Sequence, residues 1–191
     1  MNTMLIALAM AALAAIITGV AEWWATGPGT TPLRREPMVI ASVLPLIDFN
    51  QQVDFEDGQN ATALVWGWSS PEPWGVWTFG DRATIGLRLL GKARQTDNPT
   101  LILQVHAFLA PPKVQMQRIV LRLGRLELAE VAVDQSDTEV AMSLKGADLP
   151  RDPVPLVLTL DLPDAISPYV ALGTGDYRTL AIGIKSLRLV P

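Results

Sequence analysis

Three stretches of strict period-two alternation leave this chain little choice but stacked β-sheets. They are Ala83-Ile85-Leu87-Leu89, Leu101-Leu103-Val105-Ala107-Leu109 and Val154-Leu156-Leu158-Leu160-Leu162. Successive side chains of a strand point to opposite faces, so each stretch puts its apolar residues on one face. Arg88, Gln104, His106, Thr159 and Asp161 then fall on the other. Residues 42–48, 116–123, 126–133 and 140–144 are further strand candidates. A last strand runs through Leu180-Ile182-Ile184 and resumes, one residue out of phase, at Leu187-Leu189. A single inserted residue near Lys185–Ser186 predicts a β-bulge.

Turn signals separate these runs: Asp97-Asn-Pro99, Pro111-Pro112, Leu123-Gly124, Asp134–Asp137, Asp148–Pro153 and Gly173–Asp176. Helical periodicity is almost absent. Eight or more short antiparallel strands predict an all-β, two-sheet sandwich, most simply jelly-roll-like, with a closed barrel as the alternative. At 191 residues the chain has length for one good core and too little for two comfortable domains.

Inside this pattern sits a stretch that obeys neither period: Trp66-Gly-Trp-Ser-Ser-Pro-Glu-Pro-Trp-Gly-Val-Trp77, followed by Thr78-Phe-Gly-Asp-Arg82. Pro71 and Pro73 remove backbone donors and fix φ, which excludes a regular helix and a central strand throughout. The expected form is a strand end, a rigid aromatic turn and a return strand beginning near Val76.

The N-terminus is of another kind. Met4 to Val20 is apolar apart from Thr18 and Gly19, and Trp23 and Trp24 follow at once. That length just suffices to cross a bilayer, and paired Trp suit its interface. A cleaved signal peptide would end near Gly19-Val20-Ala21, but no Lys or Arg precedes the apolar run. The expected division is an anchor at 1–24, a Gly/Pro-bearing linker at 25–37 and the sandwich at 38–191. Arg34 and Arg35 on the C-terminal flank would by charge keep the domain cytoplasmic.

Composition closes several routes. Net charge is −4 with mixed signs and no basic stripe, which argues against nucleic-acid binding. There is no cysteine, and His106 is the single histidine, so thiolate chemistry and multi-His metal sites are excluded. No cofactor is expected, with one exception: Asp54, Glu56 and Asp57 beside Gly58 form an acidic loop able to offer oxygens to a structural calcium. Asn60-Ala-Thr62 fits a glycosylation sequon that carries no weight outside a eukaryotic secretory context.

With strands and turn in place, Gly67-Trp-Ser-Ser-Pro-Glu-Pro-Trp-Gly-Val-Trp77, then Gly80 and an alternating strand, resembles a β-sandwich module of bacterial envelope-polysaccharide proteins. Leu162-Pro-Asp-Ala-Ile-Ser-Pro168 and the closing Asp176–Leu189 stretch are similar as well, so the resemblance runs from about Ile47 to Val190. In that family the module is usually appended to glycosyltransferases or sugar-related membrane proteins. The resemblance implies a jelly-roll domain associated with glycan, on the periplasmic side of a bacterial inner membrane. Here no catalytic domain accompanies the module, so a non-enzymatic role is expected.

The candidate glycan-binding residues are Trp66, Trp68, Glu72, Trp74, Trp77, Asp81 and Arg82, with Ser69 as a further polar partner. Trp faces offer broad apolar surface to the C–H face of a pyranose, and polar neighbours fix its hydroxyls. The competing reading is a structural corner, in which the rings cap an open end of the sandwich and Glu72 accepts backbone or indole N–H groups. Glu72 and Asp81 would be the acid pair of a glycosidase only at a defined separation that no spacing supplies. His106, on a polar strand face, reads as a hydrogen-bonded rather than catalytic histidine. Expected partners are the membrane, through the N-terminal helix, and a polysaccharide. A second expectation is an accessory subunit of a larger inner-membrane complex, whose partners would be membrane proteins.

Overall fold

The computed structural model of the protein describes residues 43–90, 98–150 and 154–191. The proposed anchor and linker lie outside the described residues. Among those described, no helix is long and apolar enough to cross a membrane.

Two sheets carry the described residues. One contains β1 (Leu46–Ile47), β3 (Leu64–Trp66), β5 (Arg82–Leu89), β7 (Gln117–Leu123), β8 (Leu126–Val133) and β10 (Leu156–Asp161). Its order is β1-β5-β10-β7-β8, with β3 also on β5. The other contains β2 (Gln52–Asp54), β4 (Val76–Trp77), β6 (Thr100–Ala107), β9 (Asp137–Ser143) and β11 (Ile182–Val190). Its order is β2-β11-β6-β9, with β4 also on β11. Every pairing is antiparallel except β1 with β5.

The alternating runs explain why the sheets face each other. Ala83, Ile85, Leu87 and Leu89 of β5 are buried, as are Leu156, Leu158 and Leu160 of β10. Opposite them lie Leu101, Leu103 and Val105 of β6 and Ile182, Ile184, Leu187 and Leu189 of β11, all in one continuous core. Removing each such Leu, Ile or Val side chain from water contributes about 1.5–3 kcal/mol, and this burial is what holds the two layers together.

The phase slip in β11 is a bulge. Pairing with β6 shifts between Ile184 and Ser186. The extra residue, Lys185, lets Ile184 and Leu187 both face inward, and its carbonyl accepts the Phe55 N–H at 2.8 Å. Two expectations need correction. The strand expected over 42–48 is only Leu46–Ile47, paired in parallel to β5. The closing region also holds a short helix, α1 (Pro168–Leu172), where none was expected. Ser167 caps it, its Oγ accepting the Tyr169 N–H, and Gly173 ends it in the left-handed region. A proline at the first position and a glycine just past the last are local helix signals that strand periodicity overshadowed.

Candidate functional site

The Trp-rich stretch is a hairpin whose two legs part company. Near its tip Ser69 N–H donates to Trp77 O at 2.9 Å and Phe79 N–H to Gly67 O at 2.7 Å. Glu72 N–H donates to Gly75 O at 2.8 Å, and Gly75 N–H returns to Glu72 O at 3.1 Å. Glu72 can close the turn because it retains the N–H that Pro71 and Pro73 on either side lack. The legs then diverge: β3 joins the six-stranded sheet on β5 and β4 joins the five-stranded sheet on β11. The hairpin is thus a clasp between the layers.

Glycines permit that closeness. Gly67 has φ +80°, and a Cβ there would lie 2.1 Å from Arg82 O. A Cβ on Gly75 would lie 2.3 Å from Ile184 O. No side chain fits in either gap.

The four Trp do not form one platform. Trp68 packs against the core, and its Nε1–H donates to Thr84 O at 2.9 Å. Trp74 and Trp77 lie together on the outer face of the five-stranded sheet, ring centroids 5.2 Å apart and edge to face. Register explains the neighbourhood: Trp77 pairs with Gly183, Gly183 with His106, and His106 with Asp137. That row places a hollow at Gly183, and the Trp74 ring fills it, since a Cβ on Gly183 would meet Trp74 Cη2 at 2.2 Å. His106 completes the cluster, 5.5 Å from Trp74 and 5.3 Å from Trp77 between ring centroids.

Polar groups tie this cluster down at both ends. Trp74 Nε1–H donates to Glu72 Oε2 at 2.8 Å, and Arg178 Nη1 lies 3.4 Å from Glu72 Oε1. Asp176 grips the same guanidinium, accepting Nη2–H at 2.8 Å. Arg178 holds the Asp176 carboxyl below its ordinary pKa. At the far end Asp137 lies 3.0 Å from His106 Nδ1 and accepts from Lys185 Nζ at 2.8 Å. Lys185 first, then His106, holds the Asp137 carboxyl below its ordinary pKa.

Arg82 and Asp81 stand apart from this cluster. Arg82 on β5 binds Asp161 on β10, whose other oxygen accepts from Arg122 Nε of β7 at 2.7 Å. Arg122 continues to Glu127 of β8 at 2.6 Å. These four charges stitch four adjacent strands across the outer face of the six-stranded sheet. Asp81 is exposed, and its backbone carbonyl accepts Leu162 N–H at 2.8 Å.

The remaining Trp behaves differently. Trp66 is 45% exposed and Phe79, a residue the candidate set omitted, is 53% exposed. Both line a shallow open groove of about 510 Å³, with Leu64, Val65, Gly67, Trp68 and Gly80 completing its walls. Its volume falls within the usual range of small-ligand sites.

Asp54, Glu56 and Asp57 take no shared arrangement. Asp54 Oδ1 accepts from Gln52 Nε2 at 2.6 Å. Among the described residues no three acidic or imidazole side chains converge as a bound cation would need. Phe79 was legible in principle, standing between Thr78 and Gly80 in the quoted motif. Gly183 carried a clearer signal, because a glycine inside an alternating strand marks close approach of another group. Arg178 and Asp176 had none, since only the fold carries them beside Glu72. Compared with known proteins, the chain matches no family model, and no curated protein is significantly similar to it.

Proposed function

We propose that this is a membrane-anchored, non-catalytic β-sandwich that associates with envelope polysaccharide or its export machinery, and that its contact surface is the Trp66–Phe79 groove. One observation carries the choice of surface: Trp66 and Phe79 expose about half their area beside an open groove, whereas Trp68, Trp74 and Trp77 are half-buried. Exposed aromatic faces suit the C–H faces of sugar rings, and the groove's apolar walls leave specificity to the few polar groups at its rim. Asp81, exposed one residue beyond Gly80, is the nearest acidic candidate in the chain.

The jelly-roll reading is supported by strand order. From β4 to β7 the chain alternates between sheets, makes one hairpin at β7–β8, and alternates again to β11. That gives a four-strand order β5-β10-β7-β8 facing β4-β11-β6-β9, the interleaving of a jelly roll. The apolar run Met4–Val20 supports anchorage in a membrane, and the resemblance of the Trp66–Trp77 stretch to polysaccharide-associated modules supports both the ligand class and a periplasmic position at a bacterial inner membrane.

The test is affinity electrophoresis in gels containing envelope polysaccharide from the cells that make the protein. Trp66→Ala should abolish retardation while the domain stays folded; unchanged retardation discards this surface.

A further inference from the structure

Four of the twelve exposed large apolar side chains among the described residues fall on one short segment. Tyr169, Val170 and Leu172 of α1 are 47%, 56% and 56% exposed, and Tyr177 in the following loop is 70% exposed. The two Tyr rings stack with centroids 4.5 Å apart. The segment is rigidly closed: Tyr169 N–H donates to Asp176 O at 2.8 Å, and Ser167 Oγ–H donates to the same oxygen at 2.9 Å. Lys113 Nζ adds a bond to Val170 O at 3.0 Å. A soluble domain seldom leaves so much apolar area in one place without a partner.

The chain supplies the argument for which partner. Met4–Val20 is apolar enough to enter a bilayer, and residues 25–37 follow as a Gly/Pro-bearing linker. Thirteen residues, extended, reach at most about 45 Å, so a domain on that tether stays near the lipid surface at high effective concentration. The patch has the composition of an interfacial element: Tyr for the headgroup level, Val and Leu for the acyl boundary, Lys at the rim. We infer that the α1 segment, Tyr169–Leu172 with Tyr177, docks on the bilayer surface and holds the domain flat against the membrane as a second contact beyond the N-terminal anchor. The inference rests on the anchored reading of the chain but not on glycan binding. The contact is apolar in character, because Lys113 is bonded to the Val170 carbonyl, Arg178 beside Tyr177 is paired with Asp176 and Glu72, and net charge is −4.

The chain has no cysteine, so a single labelled site can be introduced at will. Full-length protein is reconstituted in phosphatidylcholine vesicles carrying a bilayer quencher near the headgroups. An environment-sensitive dye is placed at Leu172→Cys, and in a second preparation at Glu130→Cys, an exposed position on β8 in the same tethered domain. Quenching at position 172 should exceed that at 130 at least about twofold and persist in high salt, as an apolar contact requires. A Val170→Asp change added to the labelled Leu172→Cys protein should bring the two sites level. Equal quenching at both sites without that change overturns the inference and leaves the patch to a protein partner. The vesicles contain no polysaccharide, so failure here is separable from failure of the glycan assignment.

Discussion

Gly183 is the socket of Trp74. The indole occupies the space a side chain would take on the outer face of β11, and a Cβ there would lie 2.2 Å from the ring. Trp77 and His106 flank the ring on neighbouring strands, and Glu72 fixes its N–H. The clasp between the two sheets therefore depends on an atom that is missing.

Gly183→Ala should accordingly unseat Trp74. Overpacking of this kind costs about 1–3 kcal/mol. Urea unfolding followed by Trp fluorescence should show a lower midpoint and a red-shifted native spectrum. An unchanged midpoint would mean that the ring leaves its socket at no cost.

Thr78 anchors the same clasp from beneath. Its buried Oγ1 donates to Ile182 O at 2.9 Å and accepts from Ile182 N–H at 3.2 Å and Ala181 N–H at 3.3 Å. Thr78→Val keeps the shape and removes the oxygen. The loss expected for buried polar groups left without their partner is about 1–3 kcal/mol, read from chemical denaturation. Thr78→Ser, which retains the oxygen, should recover most of it.

Acid sensitivity should centre on the Arg82–Asp161–Arg122 ladder. Burial pushes the Asp161 carboxyl up, but hydrogen bonds from Arg82 and Arg122 outweigh it and hold the group below its ordinary value of 3.8. A carboxylate with a depressed native pKa stabilises the fold above its unfolded value, and that contribution is lost as pH falls through the native one. Tm should hold from neutral pH down to about pH 4 and fall below it. Asp161→Asn should lower Tm at neutral pH and flatten the decline. A decline equally steep in the variant would place the acid-sensitive group elsewhere.

Much of the sandwich was legible because its strands are half-buried. Leu126–Val133 was placed residue for residue, and Lys185 marked its own bulge through the phase slip. The short edge strands were less legible: β1, β2, β3 and β4 have two or three residues each, too few for a period to show. The candidate set was harder still. Sequence proximity grouped four Trp that the hairpin's diverging legs distribute among the core, the outer face of one sheet and an open groove. Arg82 looked like a ligand contact because its partner Asp161 is 79 residues away, and only strand pairing brings the two together.

The division of labour within the turn is the central claim, and direct titration tests it. Isothermal titration of envelope polysaccharide into wild type, the double variant Trp66→Ala/Phe79→Ala, and Gly183→Ala would read affinity and fold separately. The account predicts that the double variant stays folded yet binds at least about tenfold more weakly, a loss of about 1.4 kcal/mol. Gly183→Ala should bind nearly as wild type while being less stable. Wild-type affinity in the double variant, with binding lost instead in Gly183→Ala at temperatures where it is folded, would contradict the assignment and move the site to the Trp74–His106 face.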